Sequence, residues 1–407
     1  MPDFSRREMR TDMQTSGFMA RDLASASATT IPSHDTCAVE RVELGAVCPQ
    51  AWAALADRAI EPNAFLLPSW ARALSAHGRG QSGAEALLAW DGPSRRRLIG
   101  ILPVISAWRA FRMPLPVLVA WPGSPLTTPL LDRDAADAAA RGLIAAARAT
   151  GAKMIFLPSL PCDSAGANAL RLAAEESGIA ARTINNHKRA LLDATQPPDD
   201  AVRNAIGAKK LKELRRQRNR LSDGGEVTFA VASSPHGVAV ALDDFLALEA
   251  SGWKGKRGTA LAKHAGDREF IRRAVLELAA TGHAEIATLS RGGNPFASGL
   301  LLRHGRRSYF YKIAYDEAMS KLSPGVQLST EITRQLCADA RVDDADSTAI
   351  ANHPMIDSIW RGRLSVGDML VPTQPDAFGF DLCAGAISAY FAARQAARQI
   401  LSTVRSR

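Results

Sequence analysis

The segment best suited to chemistry in this 407-residue chain is Ser323-Pro324-Gly325, followed by Val326, Gln327 and Leu328. It follows a run of strand-like residues and opens a stretch with helical spacing. A strand, a turn and a helix start in that order gather free backbone N–H groups into a cradle for a pyrophosphate. Pro324 fixes one dihedral, Gly325 removes a side chain, and residues 326–328 present amides that have no partner within the helix. The same letters also read as a plain helix cap. Other motifs fail on context. Gly78-Arg79-Gly80-Gln81-Ser82-Gly83 fits G-x-G-x-x-G, but it follows a helical stretch and precedes a strand, the reverse of what dinucleotide binding needs. Gly252-Trp253-Lys254-Gly255-Lys256 has the wrong glycine spacing for a phosphate loop, and no Ser or Thr follows Lys256. The eight histidines are scattered without H-E-x-x-H, and the five cysteines (Cys37, Cys48, Cys162, Cys337, Cys383) contain no C-x-x-C. Neither a metal site nor a disulfide framework is expected from such a set, and the cytoplasm is the expected compartment.

Charge is concentrated. Of the net +9, +7 lies between Arg203 and Arg220, where eight basic residues face Glu213 alone. That run holds no aromatic residue for base stacking. It reads as a solvated helix between domains or as the contact for an anionic partner. A chain of this length that is 46% apolar and 22% charged is enough for two globular domains. No apolar stretch approaches the ~20 residues of a bilayer-spanning helix.

The elements that must position the candidate cradle follow from periodicity. The clearest break is Gln196-Pro197-Pro198-Asp199-Asp200, where two prolines precede acidic residues suited to a helix start. Before it, helical stretches at 49–60, 134–150 and 164–177 alternate with strand-like runs at 86–90, 98–106, 153–157 and 190–193. After it come the basic helix, a strand at 227–232 and helices at 238–250 and 267–280. Apolar runs at 284–289, 296–303 and 308–314 then follow one another. The turns between those runs are too short for a parallel crossover, so the runs form an antiparallel meander. Residues 316–322 read as a loop, 326–340 as an amphipathic helix, 341–347 as a strand and 354–360 as a short helix. In the tail, 381–403, Leu382, Ala386, Ile387, Tyr390 and Phe391 share a helical face expected to dock on the core, with an interfacial or oligomer contact as the other reading. The first 36 residues read as a disordered leader without a secretory core.

The stretches ALEASGWKGKRGTAL, GHAEIATLSRGGNPFASGLLLRHGRRSYFYKIAYDEA and LSPGVQLSTEI resemble the acetyltransferase domain of the CelD-like group. That group belongs to the GNAT superfamily and is related to the FemABX peptidoglycan aminoacyl transferases. The resemblance spans 39–371. KKLKELRRQRNRLSDGG is similar to the basic helix that joins two GNAT-like halves, and NAFLLPSWARAL to the opening helix of the first. The chain departs from the family in its cradle, where Lys321 to Val326 carries a single glycine in place of Q/R-x-x-G-x-G/A. It departs again near its end, where the Asp-Phe-x-x-Gly and Tyr-Lys pattern is replaced by NHPMIDSIWRGRL.

The resemblance implies an α/β (α+β) fold of two tandem GNAT-like domains, each a mixed, mostly antiparallel sheet flanked by helices. They would occupy 37–196 and 226–373, with a linker helix at 197–225 and a final helix at 374–407. It implies an N-acyltransferase that uses acetyl-CoA or another acyl-CoA, without a metal, and transfers the acyl group directly to an amine. The acceptor would be a small molecule, an amino sugar or an envelope polysaccharide precursor, with peripheral membrane or envelope-biosynthesis partners. In such enzymes the thioester lies along a splayed strand, here 308–314, with the pyrophosphate on residues 323–328. Tyr311 or Tyr315 could protonate the leaving thiolate, or be packed in the core. Glu285 and Asp316 are the nearest carboxylates in sequence to take the amine proton, or they form surface salt bridges. Trp253 would wall the acceptor pocket or simply be buried, and Lys312 would lie on the substrate side. Simple alternation sends Tyr309, Tyr311 and Ile313 to one face and Phe310, Lys312 and Ala314 to the other. The rivals are a FemABX-like transferase using aminoacyl-tRNA, suggested by the basic helix, and a degenerate GNAT scaffold that binds a partner.

Overall fold

The computed structural model describes residues 31–32, 37–95, 97–121, 124–176 and 178–405. The leader read at 1–36 lies, apart from Ile31–Pro32, outside the described residues. The strands described are β1 (Ile31–Pro32), β2 (Cys37–Glu43), β3 (Glu85–Asp91), β4 (Leu98–Ser106), β5 (Val117–Ala120), β6 (Leu130–Leu131) and β7 (Met154–Pro161). They continue with β8 (Arg182–Asp193), β9 (Val227–Ala232), β10 (Ala284–Arg291), β11 (Asn294–His304), β12 (Arg307–Tyr315), β13 (Asp344–Asp346) and β14 (Gly362–Pro372). They form one sheet in the order β1-β2-β3-β4-β5-β7-β14-β8-β13-β12-β11-β10-β9, with β6 paired to β4. The fold is the expected α/β arrangement, a large mixed sheet flanked by helices.

Connection length explains the pairing. Gly292 and Gly293, at φ +54 and +82, form the two-residue turn between β10 and β11, where only residues tolerant of the left-handed region fit. β10 to β12 are therefore an antiparallel meander, and β9 adds to its edge, antiparallel to β10, across an intervening helical segment. β12 and β13 run parallel, which requires a crossover, and the helix Pro324–Ala338 provides it. β14 follows that helix in the chain, yet it lies between β7 and β8 and is antiparallel to both. Both halves of the chain thus complete a common sheet.

One face of β10–β12 is covered by the helices Pro235–Ser251 and Ala265–Ala280, through Phe245, Phe270, Ile286, Leu300, Leu302 and Tyr309. The same apolar cluster takes in Trp52, Phe65 and Trp70 from the first half. The opposite face carries the helix Pro324–Ala338, through Leu301, Phe310, Leu328 and Ile332. Polar contacts pin the halves together. The Asn63 N–H donates to His304 Nδ1 at 2.8 Å, His304 Nε2 lies 3.1 Å from the Ala56 carbonyl, and the Tyr309 hydroxyl donates to the Pro62 carbonyl at 2.6 Å.

Three expectations are corrected. The basic segment is two helices, Pro198–Ile206 and Ala208–Ser222, because Gly207 at φ +79 breaks the run. Residues 316–322 are not a plain loop, since Glu317–Leu322 forms a 3₁₀ helix. In the tail helix, Ala377–Arg405, Leu382 is 61% exposed, and the docked face is Phe380, Cys383, Ala384 and Ile387. Phe391 joins that face against Phe111 and Phe156 of the first half.

Candidate active site

The site is made by an irregularity in β12. Lys312 pairs with Leu300 and Phe310 with Leu301, so Tyr311 is an extra residue opposite no partner in β11. Such a bulge resets the alternation of every residue beyond it. The expected face assignment is therefore wrong past Tyr311. Tyr309, Tyr311, Lys312 and Ala314 lie on the face of the helix Pro235–Ser251, whereas Phe310, Ile313 and Tyr315 lie on the face of the helix Pro324–Ala338. The other edge of β12 pairs with β13 only at Arg307, Ser308 and Tyr309. Beyond that point the chain turns away at Thr348, at φ +49, whose hydroxyl donates to the Phe310 carbonyl at 2.8 Å. The splay opens a cavity of about 230 Å³ lined by Tyr311, Lys312, Lys254, Thr348, His353 and Met355 among others.

At the mouth of the splay stands the start of the helix Pro324–Ala338. Ser323 takes a left-handed conformation at φ +53, which turns the chain out of the preceding 3₁₀ helix, and Pro324 occupies the first helical turn. The Gln327 amide bonds the Ser323 carbonyl at 3.0 Å. The Gly325 and Val326 amides lie in the first turn and have no partner within the helix. A Cβ on Gly325 would stand 3.0 Å from Met355 Sδ and 3.3 Å from two Tyr315 ring carbons, so Met355 connects this helix start to the cavity. The Gln327 side chain is buried and donates to the Leu214 carbonyl at 3.0 Å, and Leu328 is wholly buried. Both side chains are structural.

The two tyrosines are separated by the sheet. Tyr311 is half-buried, edge-on to Trp70 at 4.9 Å and tilted against Phe65 at 5.8 Å. Its hydroxyl has no hydrogen-bond partner among the described residues. Burial, and then the negative charge of Glu249, push its pKa well above the usual tyrosine value. Tyr315 packs beneath Gly325 on the other face.

Neither expected carboxylate is brought to the cavity. Glu285 is buried on the face of the helix Pro324–Ala338 and bound to Arg303 at 3.2 Å, and Arg303 also holds Asp339 at 2.8 Å. Asp316 caps the 3₁₀ helix by accepting the Ala318 N–H at 2.9 Å. Trp253 is 47% exposed. It walls a smaller groove with Tyr315 and Glu317, and its backbone N–H donates to Glu317, which Lys256 also holds at 2.9 Å. These bonds keep the Glu317 carboxyl below its ordinary range. Lys312 is brought to the cavity wall.

Sequence reasoning missed Glu249 and Lys254. Glu249 is buried, and its Oε1 receives Lys254 at 3.3 Å and Lys312 at 3.4 Å. Burial, and then the Lys312 charge, lower the Lys254 pKa, partly opposed by Glu249. The available signal was a lone glutamate in the buried stripe of an amphipathic helix, with Leu242, Phe245 and Leu246.

A splayed strand with a helix start beyond it is the arrangement that the GNAT resemblance implies for a donor site. Residues 208–352 match the family described as the acetyltransferase (GNAT) domain. The fold as a whole is similar to the C-terminal DUF2156 domain of a protein from Agrobacterium fabrum assigned as a lysylphosphatidylglycerol synthetase. That likeness has a TM-score of 0.53 at 13% identity and covers 86% of this chain and 95% of that one. It is similar also to FemX, with a TM-score of 0.52 at 12% identity over 82% and 97% of the two chains. No curated protein sequence matches the chain.

Proposed function

We propose that the protein is an acyl-CoA-dependent N-acyltransferase. The observation that carries this reading is the continuity of the Tyr311 bulge, the 230 Å³ cavity and the helix start at Gly325 and Val326. The pyrophosphate of the donor would rest on those two amides, with Ser323 and Pro324 shaping the turn. Its pantetheine arm would lie along the free edge of β12, and the thioester would sit in the cavity. The acceptor amine attacks the thioester carbon directly, the tetrahedral adduct expels the thiolate, and the proton lost by the adduct's nitrogen is relayed through the Tyr311 hydroxyl, which gives its own proton to the thiolate and takes that one in return. Trp253 walls the acceptor side. The resemblance to the CelD-like group directs the acceptor towards an amino sugar or an envelope polysaccharide precursor, and five cysteines without C-x-x-C spacing suit a cytoplasmic site.

The test is calorimetric and kinetic. CoA and acetyl-CoA should bind and raise the melting temperature, and acetyl-CoA should release thiol with one or more amines from a panel of amino sugars, polyamines and amino acids. Absence of CoA binding would overturn the reading.

A second reading, an aminoacyl-tRNA donor, is favoured by one observation. Lys209, Lys210, Lys212, Arg215, Arg216 and Arg220 all lie exposed on the helix Ala208–Ser222. That helix runs alongside the helix Pro324–Ala338, with Arg218 3.3 Å from Glu331. If tRNA is the donor, affinity falls steeply with salt and drops when Lys209, Lys210, Arg215 and Arg216 become Gln. If CoA is the donor, those changes leave turnover nearly unaltered.

A further inference from the structure

Glu249 answers two cations. Its side chain has no solvent exposure. Its Oε2 accepts the Leu261 N–H at 2.8 Å, while Oε1 alone faces both Lys254 Nζ and Lys312 Nζ, at 3.3 and 3.4 Å. Lys254 Nζ also donates to the Ile313 carbonyl at 3.3 Å, which ties the Gly252–Lys256 turn to β12 just past the bulge. Both lysines line the cavity at the splay, and no Asp or Glu among the described residues lines it with them. His353 offers no compensating charge, since its Nδ1 accepts the Met355 N–H at 3.3 Å. The remaining wall is hydroxyl or apolar, from Thr348, Phe310 and Met355.

Two ammonium groups on one carboxylate leave a surplus positive charge at a mostly desolvated wall. Such a charge is costly unless an anion completes it. The lowered pKa of Lys254, caused by burial and then by Lys312, reflects the same unfilled demand.

Resting on the acyl-CoA reading above, we propose that the Lys254–Lys312 pair binds a carboxylate carried by one of the two reactants. The carboxylate belongs either to the acceptor, as in an amino acid or an acidic amino sugar, or to the acyl chain, as in a dicarboxylic acyl-CoA. In both cases Glu249 holds the two ammonium groups at the cavity wall, and the reacting amine and thioester lie beside it.

Titration calorimetry on the full chain separates the two sources. In the donor arm, succinyl-CoA is compared with butyryl-CoA, which has the same four-carbon chain without the carboxylate. In the acceptor arm, protein saturated with CoA is titrated with L-alanine and with L-alaninamide. Charge-assisted hydrogen bonds of this kind predict a preference of roughly ten- to a hundredfold for the carboxylate in one arm. Lys312→Met and Lys254→Met should each reduce that preference to about twofold or less while CoA itself still binds, and Lys312→Arg should retain it. CoA binding with no carboxylate preference in either arm, or a preference that survives both methionine variants, overturns the proposal. Failure to bind CoA at all overturns the acyl-CoA reading and this proposal with it.

Discussion

Replacing Tyr311 by Phe removes one oxygen and leaves the ring between Trp70 and Phe65. The hydroxyl has no hydrogen-bond partner among the described residues, so no bond is lost from the folded state. Stability should change by less than about 0.5 kcal/mol. Turnover should change far more. A positioned general acid contributes about 10²–10⁴ in rate, or roughly 3–5 kcal/mol of barrier, and Tyr311 lines the cavity where the thiolate would leave. Burial and Glu249 raise the Tyr311 pKa above the ordinary tyrosine value, so the proton stays on the oxygen throughout the neutral and mildly alkaline range. kcat should therefore show no alkaline loss from this group up to about pH 10. The assay is thiol release from acetyl-CoA with a productive amine, alongside CoA affinity by calorimetry. Tyr311→Phe should lower kcat by at least a hundredfold with CoA affinity unchanged. Tyr315→Phe, on the opposite face of the sheet, should stay within about threefold. Wild-type kcat in the Tyr311 variant would refute the assignment, and a loss confined to the Tyr315 variant would move the acid across the sheet.

Gly325→Ala should be nearly neutral in stability, because Met355 can shift to admit a methyl group and alanine favours the helix. Gly325→Val should cost about 1–3 kcal/mol through crowding of Met355 and Tyr315, and it should weaken CoA binding more than tenfold by calorimetry. Glu285→Gln should cost about 1–2 kcal/mol in denaturant melts, since Arg303 retains Asp339 at 2.8 Å, while kcat stays within about twofold. His304 is held neutral by burial, with its pKa lowered, and its Nδ1 accepts the Asn63 N–H. Above about pH 6.5 it is neutral folded and unfolded alike. As pH falls below that value the unfolded chain takes the proton first, so stability declines towards acid. Melting temperature measured from pH 7 to 5 should fall, and His304→Gln should flatten part of that slope.

The meander was legible because its strands are local. Two short turns with Gly292-Gly293 and Gly305 separate three apolar runs, and neighbours in sequence became neighbours in the sheet. The place of β14 was not legible, because its partners Met154–Pro161 and Arg182–Asp193 lie far back in the chain and no local pattern names them. The bulge escaped for a subtler reason. Tyr309 to Tyr315 reads Tyr, Phe, Tyr, Lys, Ile, Ala, Tyr, and its aromatic and aliphatic residues satisfy either face, so the slip at Tyr311 leaves no mark in polarity. The helix start at Ser323-Pro324-Gly325 was readable from turn chemistry alone. Glu285 was misleading for the converse reason: it lies in a strand next to the site in sequence, yet its partner Arg303 is on the adjacent strand and holds it on the far face. Glu249 was hidden because its two lysines come from different elements, one of them 63 positions away.

Amide hydrogen exchange with and without CoA tests the central claim most directly. The account predicts that CoA slows exchange at Gly325 and Val326 and along the free edge of β12 from Phe310 to Tyr315, with little change in the helix Ala208–Ser222. Protection centred instead on the cavity between the halves, around Asp57, His283 and His304, or none at Gly325 and Val326 under saturating CoA, would contradict it.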